Sequence, residues 1–167
     1  MVENTDSLKI LVVDDERDIR EGIERILIRM GYTVFKASQG EEALEILGKE
    51  TVDLAILDLK MPGMDGMELH QRIRGIDENI IVIIITGYAT IETAIEAMKK
   101  GAYDFIPKPF EPEHLRIVVR RAHEKLRLTN EAEALQAERA RTLIDLDMEK
   151  SRIRTIVESL PTAVVVT

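Results

Sequence analysis

The chain reads as an α/β protein built on a parallel sheet. Short apolar runs alternate with amphipathic helical stripes through about residue 125, a pattern of strands joined by crossover helices. The run from Ile80 to Ile85 is apolar at every position, which suits a central strand covered by helices on both faces. Glycines stand where helical stripes stop, as at Gly31 and Gly101, in the manner of helix C-terminal caps.

Five βα units follow in order. The spacing predicts a first strand over 9–13, then Asp14-Asp15 and a helix over about 17–30 that Gly31 ends. A second strand over 33–37 leads to a helix ending near Lys49, with Ser38 placed to cap it. The third strand, 54–57, ends on Asp58; after the Met61-Pro62-Gly63 loop, Asp65 can cap a helix to about Arg74. The fourth strand, 80–85, ends on Thr86, and a helix over 90–100 is closed by Gly101. The fifth strand, 103–106, runs into Pro107-Lys108-Pro109, and the last helix starts near Pro112, a residue suited to the first helical turn.

Neither glycine nor proline occurs between Glu113 and Leu160. The fifth helix is therefore expected to continue far past the fifth βα unit, up to ~70 Å if unbroken. Leu143, Leu146, Lys150, Ile153, Val157 and Leu160 follow a 3-4 spacing, and Leu146, Glu149, Ile153, Ile156 and Leu160 do so nearly as well. Either seam points to a parallel dimeric coiled coil, against the plainer reading of a solvated helix or one packed back on the domain. The domain plan is thus a globular unit over 1–125, a helical linker over 126–160 and a new beginning over 161–167.

Composition narrows the function. Cysteine is absent, which excludes disulfides and thiolate metal sites and agrees with a reducing cytoplasm. The first residues lack the basic start and apolar run of a signal peptide, and no apolar run approaches the ~20 residues needed to span a bilayer. Residues 121–160 carry eight Lys/Arg and eight Asp/Glu, so the formal charge of −8 arises before them. No basic footprint for nucleic acid is present, and a cytoplasmic location is expected.

In a doubly wound sheet the ligand site lies beyond the carboxyl ends of the strands. Asp14 and Asp15, Asp58, Thr86 and Lys108 each follow a different predicted strand. Separately they have plain readings: a helix cap, a loop aspartate, a turn and a surface lysine. Together they describe a site. Crowded carboxylates repel one another unless a cation neutralises them, and an all-oxygen cluster suits a hard ion such as Mg²⁺. Asp58, alone at its strand end, is the candidate nucleophile, since an aspartyl oxygen can attack phosphorus. Lys108 and the Thr86 hydroxyl are placed to offset charge on the transferring phosphoryl oxygens.

The segments Ile10-Leu11-Val12-Val13-Asp14-Asp15, Asp53 through Asp58 to Gly66, Ile85-Thr86-Gly87 and Gly101 through Lys108 to Phe110 resemble response-regulator receiver domains of two-component systems. The resemblance implies a flavodoxin-like (βα)5 fold with sheet order 2-1-3-4-5. It implies phosphorylation of Asp58 by a sensor histidine kinase or phosphotransfer protein, slow self-catalysed dephosphorylation, and Mg²⁺ held by Asp14, Asp15, Asp58 and the Lys60 carbonyl. It also implies a cis Lys108-Pro109 bond, and a switch coupling Thr86 to Phe105, where many relatives carry tyrosine. The output surface would be the fourth helix, fifth strand and fifth helix, including Ile91, Ala94, Ile95 and Met98, although core packing is the plain reading of those residues. Homodimerisation through that face or the C-terminal helix is expected. The stretch Gly87–Ala94 and the Phe110-Glu111-Pro112 exit look most like receivers of nitrogen-regulator-type proteins.

The end, from Ile153 through Leu160-Pro161 to Thr167, resembles the entry into a PAS-like domain. A lone Val-rich strand is not stable alone, so the chain is expected to be a piece of a longer protein, with a kinase or other output beyond. Alternatives remain. A haloacid-dehalogenase-type phosphatase would need a second aspartate two residues after Asp58, where Lys60 stands. A non-phosphorylated pseudoreceiver would serve only as a dimerisation or interaction module. His123-Glu124 faintly suggests a histidine-kinase box but lacks the expected proline, leaving His123 as a plain surface position; the other histidines, His70 and His114, show no metal spacing.

Overall fold

The computed structural model describes residues 7–159 of the chain, in two units that divide after Glu124. The expected PAS-like opening at 161–167 lies outside the described residues.

In the first unit, β1 (Lys9–Val13), β2 (Thr33–Ala37), β3 (Leu54–Leu57), β4 (Ile81–Thr86) and β5 (Asp104–Pro107) form one parallel sheet in the order β2-β1-β3-β4-β5. The helices α1 (Arg17–Arg29), α2 (Gly40–Lys49), α3 (Gly66–Ile76), α4 (Ile91–Lys99) and α5 (Pro112–Ser159) follow the strands in alternation. This is the flavodoxin-like order expected from the sequence. Its apolar runs explain the strand order: β3 and β4 are buried at every residue and lie inside, whereas β2 and β5 are only partly buried and form the edges. Each fully buried Ile or Leu of the central strands, such as Ile56, Ile83 and Ile84, contributes roughly 1.5–3 kcal/mol relative to exposure.

Two strands start one residue later than the apolar runs suggest, β4 at Ile81 and β5 at Asp104. The register explains both: Ile81 is the partner of Leu54, and Asp104 the partner of Ile83. The ends hold where chemistry fixes them. Gly31 and Gly101 have φ of +89° and +97°, conformations that a Cβ disfavours. The Asp65 carboxylate accepts the Glu68 N–H at 2.8 Å, and Thr90 caps α4 in a reciprocal box with Thr93. Ser38 does not cap α2. The N-cap is Gln39, without a side-chain bond, because the Ser38 hydroxyl and N–H both donate to Glu42 Oε2 at 2.9 Å.

On α4, Ala97 is buried while Ile91, Ile95 and Met98 are 81%, 49% and 46% exposed. The core-packing reading of these three residues is therefore wrong; the inward stripe of α4 is small and its large apolar residues face solvent. On α5, Leu115, Val118, Val119 and Ala122 are buried at the spacing of one helical face. His123 is not a plain surface residue either: it is partly buried, its Nδ1 3.1 Å from the Tyr32 hydroxyl and its ring edge-on at 5.4 Å.

His70 is fully buried on α3. Its Nε2–H donates to the Lys100 carbonyl at 3.0 Å, while its buried Nδ1 has no partner. Burial, with Arg74 and Lys100 nearby, holds its pKa below the usual histidine value, although the bond to Lys100 works the other way. The unfolded chain then binds more protons than the folded one as pH falls below about 6.5. We predict that urea midpoints decline from pH 7.5 to 5.5 and that His70→Gln, which keeps a donor but does not titrate, flattens that slope. An unchanged slope in the variant would refute the assignment.

The second unit continues α5 as helix through Ser159. Every residue from Arg127 to Glu158 is exposed.

Candidate functional site

The carboxyl ends of the strands deliver the site. Asp14 follows β1 and its backbone N–H donates to the Ala37 carbonyl; Asp58 follows β3 and donates to the Val13 carbonyl. These sheet-like bonds extend the ladders one residue and fix where both carboxylates emerge. Lys108 follows β5, its N–H donating to the Thr86 carbonyl at 2.8 Å, and its bond to Pro109 is cis.

Lys108 reaches across to the two aspartates. Its Nζ lies 2.7 Å from Asp14 Oδ2 and 3.0 Å from Asp58 Oδ2, with Glu16 Oε1 more distant at 3.5 Å. Asp14 and Asp58 are almost wholly buried. Backbone donors hold their other oxygens: Glu16 N–H to Asp14 Oδ1 at 2.9 Å, and Lys60 N–H to Asp58 Oδ1 at 3.3 Å. Burial raises the Asp14 pKa above its usual range and the Asp58 charge adds to this, outweighing the Lys108 hydrogen bond and charge and the Glu16 N–H. For Lys108, burial alone would lower the pKa, but hydrogen bonds and charge from Asp14 and Asp58 win and raise it. The lysine is thus held as an ammonium ion.

Asp14, Asp15, Glu16 and Asp58 each offer a carboxylate oxygen within 4.8 Å of the others. Asp15 and Glu16 are exposed, so the cluster opens to water on one side. Hard oxygen donors of this number, with room for water, match what Mg²⁺ asks of a protein. Glu16 went unremarked in the sequence, although it is the third acid of the Asp14-Asp15-Glu16 run; its adjacency was the available signal.

The side chains of the remaining expected positions, Thr86, Phe105 and Lys60, have other partners. Thr86 is fully buried, and its hydroxyl accepts the Tyr88 N–H at 3.2 Å. Phe105 is partly buried, packs on the core and pairs with Ile84 across β4 and β5. The Lys60 side chain turns outward, its ammonium 4.2 Å above the Tyr88 ring. Those two residues, with Leu59, Met61, Pro62 and Met67, line a groove of about 460 Å³ beside the site.

Fold and site together define a doubly wound α/β domain with a lysine-bridged acidic cluster at the carboxyl edge of its sheet. Residues 10–120 match the response regulator receiver domain. The chain belongs to that family. It is 42% identical over 113 residues to sporulation initiation phosphotransferase F of Bacillus subtilis, spanning 68% of this chain and 91% of that protein. It is 39% identical over 127 residues to the C4-dicarboxylate transport transcriptional regulatory protein DctD of Rhizobium meliloti, covering 76% of this chain but only 28% of that protein. The crystal structure of the receiver domain of NtrX from Brucella abortus superposes with a TM-score of 0.66 at 39% identity, covering 69% of this chain and 98% of that one. Receivers of this family act in two-component signalling, and no helix among the described residues is long and apolar enough to cross a membrane.

Proposed function

We propose that Asp58 is the phosphoacceptor of a two-component relay. The observation that carries this reading is the Lys108 ammonium bridging Asp14 and Asp58, which emerge from β1 and β3. An Asp58 carboxylate oxygen forms the new O–P bond as the bond from phosphorus to a donor imidazole nitrogen breaks, and that nitrogen keeps the electron pair. A phosphohistidine on a sensor kinase or phosphotransfer protein is the donor. Water later displaces Asp58 from phosphorus and releases phosphate. Asp14, Asp15 and Asp58, with the Lys60 carbonyl, would hold Mg²⁺, which when bound neutralises charge on the phosphoryl oxygens. Lys108 offers its ammonium to the same oxygens.

Thr86 and Phe105 form the switch. A phosphoryl oxygen competes for the Thr86 hydroxyl, which turns away from the Tyr88 N–H, and Phe105 moves into the space released. The exposed face of α4 with β5 and α5 carries the output. The chain also dimerises, through that face or the helix beyond residue 125, and residues 161–167 begin a PAS-like domain.

Intact mass after incubation with acetyl phosphate and Mg²⁺ tests the central step. Wild type gains one alkali-labile phosphoryl group; Asp58→Ala, or wild type with the metal chelated, does not. No adduct on wild type would leave a pseudoreceiver.

A further inference from the structure

The exposed helix of the second unit carries a seam whose charges specify an orientation. Leu128, Ala132, Leu135, Arg139, Thr142, Leu146, Glu149, Ile153 and Ile156 follow one another at alternating spacings of four and three residues, the pattern of a coiled-coil contact line. Leu128, Leu135, Leu146, Ile153 and Ile156 are 53–61% exposed. The competing line through Leu143, Lys150 and Val157 meets Gln136, Thr129 and Lys125 when carried back toward the first unit, so only the Leu128–Ile156 line stays largely apolar along its length.

Two charges interrupt this line, Arg139 and Glu149, and among the described residues neither forms an ion pair within its own chain. A parallel in-register pair would place Arg139 on Arg139 and Glu149 on Glu149 inside the contact. Like charges so placed oppose assembly. Reversing one copy places Arg139 opposite Glu149 twice over. The same offset brings Leu135 to Ile153, Ala132 to Ile156 and Thr142 to Leu146, and sets Glu138 beside Arg152 on the flank. Parallel pairing gains only the flanking contact of Asp145 with Lys150. Its antiparallel counterpart is one Asp145–Asp145 approach at the solvated rim, where charge matters least.

We propose that residues 128–156 form an antiparallel two-stranded coiled coil with a second copy of this chain, held in register by Arg139–Glu149 pairs. The inference rests on the dimer reading above, specifies its surface, and replaces the parallel pairing expected from the heptad spacing with an antiparallel one.

The cysteine-free sequence permits a direct test on the full chain. Sedimentation first establishes the dimer. Under oxidation, a mixture of Leu135→Cys and Ile153→Cys chains cross-links between the two variants, while Leu135→Cys alone does not. Arg139→Glu weakens the dimer at least about tenfold, and Arg139→Glu with Glu149→Arg restores it; in a parallel dimer the double reversal only exchanges one like pair for another. A monomer at all concentrations overturns the dimer reading itself. A dimer in which Leu135→Cys cross-links to itself, or which Arg139→Glu leaves untouched, overturns the antiparallel seam alone. Neither outcome bears on phosphorylation of Asp58.

Discussion

Gly66→Ala is expected to lower the stability of the first unit by about 3 kcal/mol and to slow acetyl-phosphate uptake by ten- to a hundredfold, roughly the effect of displacing a reacting group by an ångström. Gly66 opens α3, is buried, and donates its N–H to the Leu59 carbonyl at 2.9 Å. A Cβ on it would run into the Asp58 carbonyl oxygen, with Asp58 C and Leu59 Cα at 2.8 Å. These are backbone atoms, so no side-chain rotation relieves the clash. Either α3 lifts from the sheet or the β3–α3 loop moves, and that loop aims the Asp58 carboxylate. Gly48→Ala is the control: nothing lies within 4 Å of its Cβ, and alanine in a helix should stabilise by up to about 1 kcal/mol. Urea unfolding reads the stability and intact-mass time courses read the uptake. Gly66→Ala as stable as wild type would show that the loop does not depend on this close approach.

What was legible in the sequence followed from periodicity and punctuation. Five apolar runs with polar residues at their ends located the sheet and its carboxyl edge, because a parallel strand buried on both faces has no polar position to spare until it ends. Asp14, Asp58, Thr86 and Lys108 were visible for that reason. Side-chain partners across the fold were harder to see. Lys108 and Asp14 are 94 residues apart, and only the strand order brings them together. Local competition also escaped notice: Ser38 is a good capping type, yet Glu42 on the first turn of α2 takes both of its donors. Residue type alone misleads at His123 and Ile91 in opposite directions, and at Ile91 the exposed output face implied by the family resemblance holds instead. Type makes the histidine a surface position and the isoleucine a core one, but Tyr32 covers the former, while α4 turns the latter to water. Glu16 follows Asp14-Asp15 directly, and nothing in the strand pattern marks it, although its carboxylate joins theirs in space.

Lys108→Met should cost the metal-free protein about 3 kcal/mol near pH 8, the usual scale when one partner of a buried ion pair is removed. The side chains of Asp14 and Asp58 are 3% and 5% exposed, and the lysine itself 11%. Without the ammonium, two carboxylates face each other with little water to screen them. Asp14 already has a raised pKa, from burial first, and Lys108, together with the Glu16 N–H, restrains that rise. Its loss raises the pKa further, so the folded state binds protons that the unfolded chain has released. The destabilisation is therefore greatest at high pH, and it fades as pH falls through the raised folded value toward the unfolded one. Mg²⁺ replaces the missing charge: at a hundred times its dissociation constant it would return about 2.7 kcal/mol. The variant should also bind Mg²⁺ more tightly than wild type, since no ammonium occupies the space between Asp14 and Asp58. Urea midpoints at pH 8 and pH 5, with and without Mg²⁺, check each part. If Lys108→Met responds to pH and Mg²⁺ as wild type does, the lysine does not neutralise this cluster, and its proposed hold on the phosphoryl oxygens loses its physical basis.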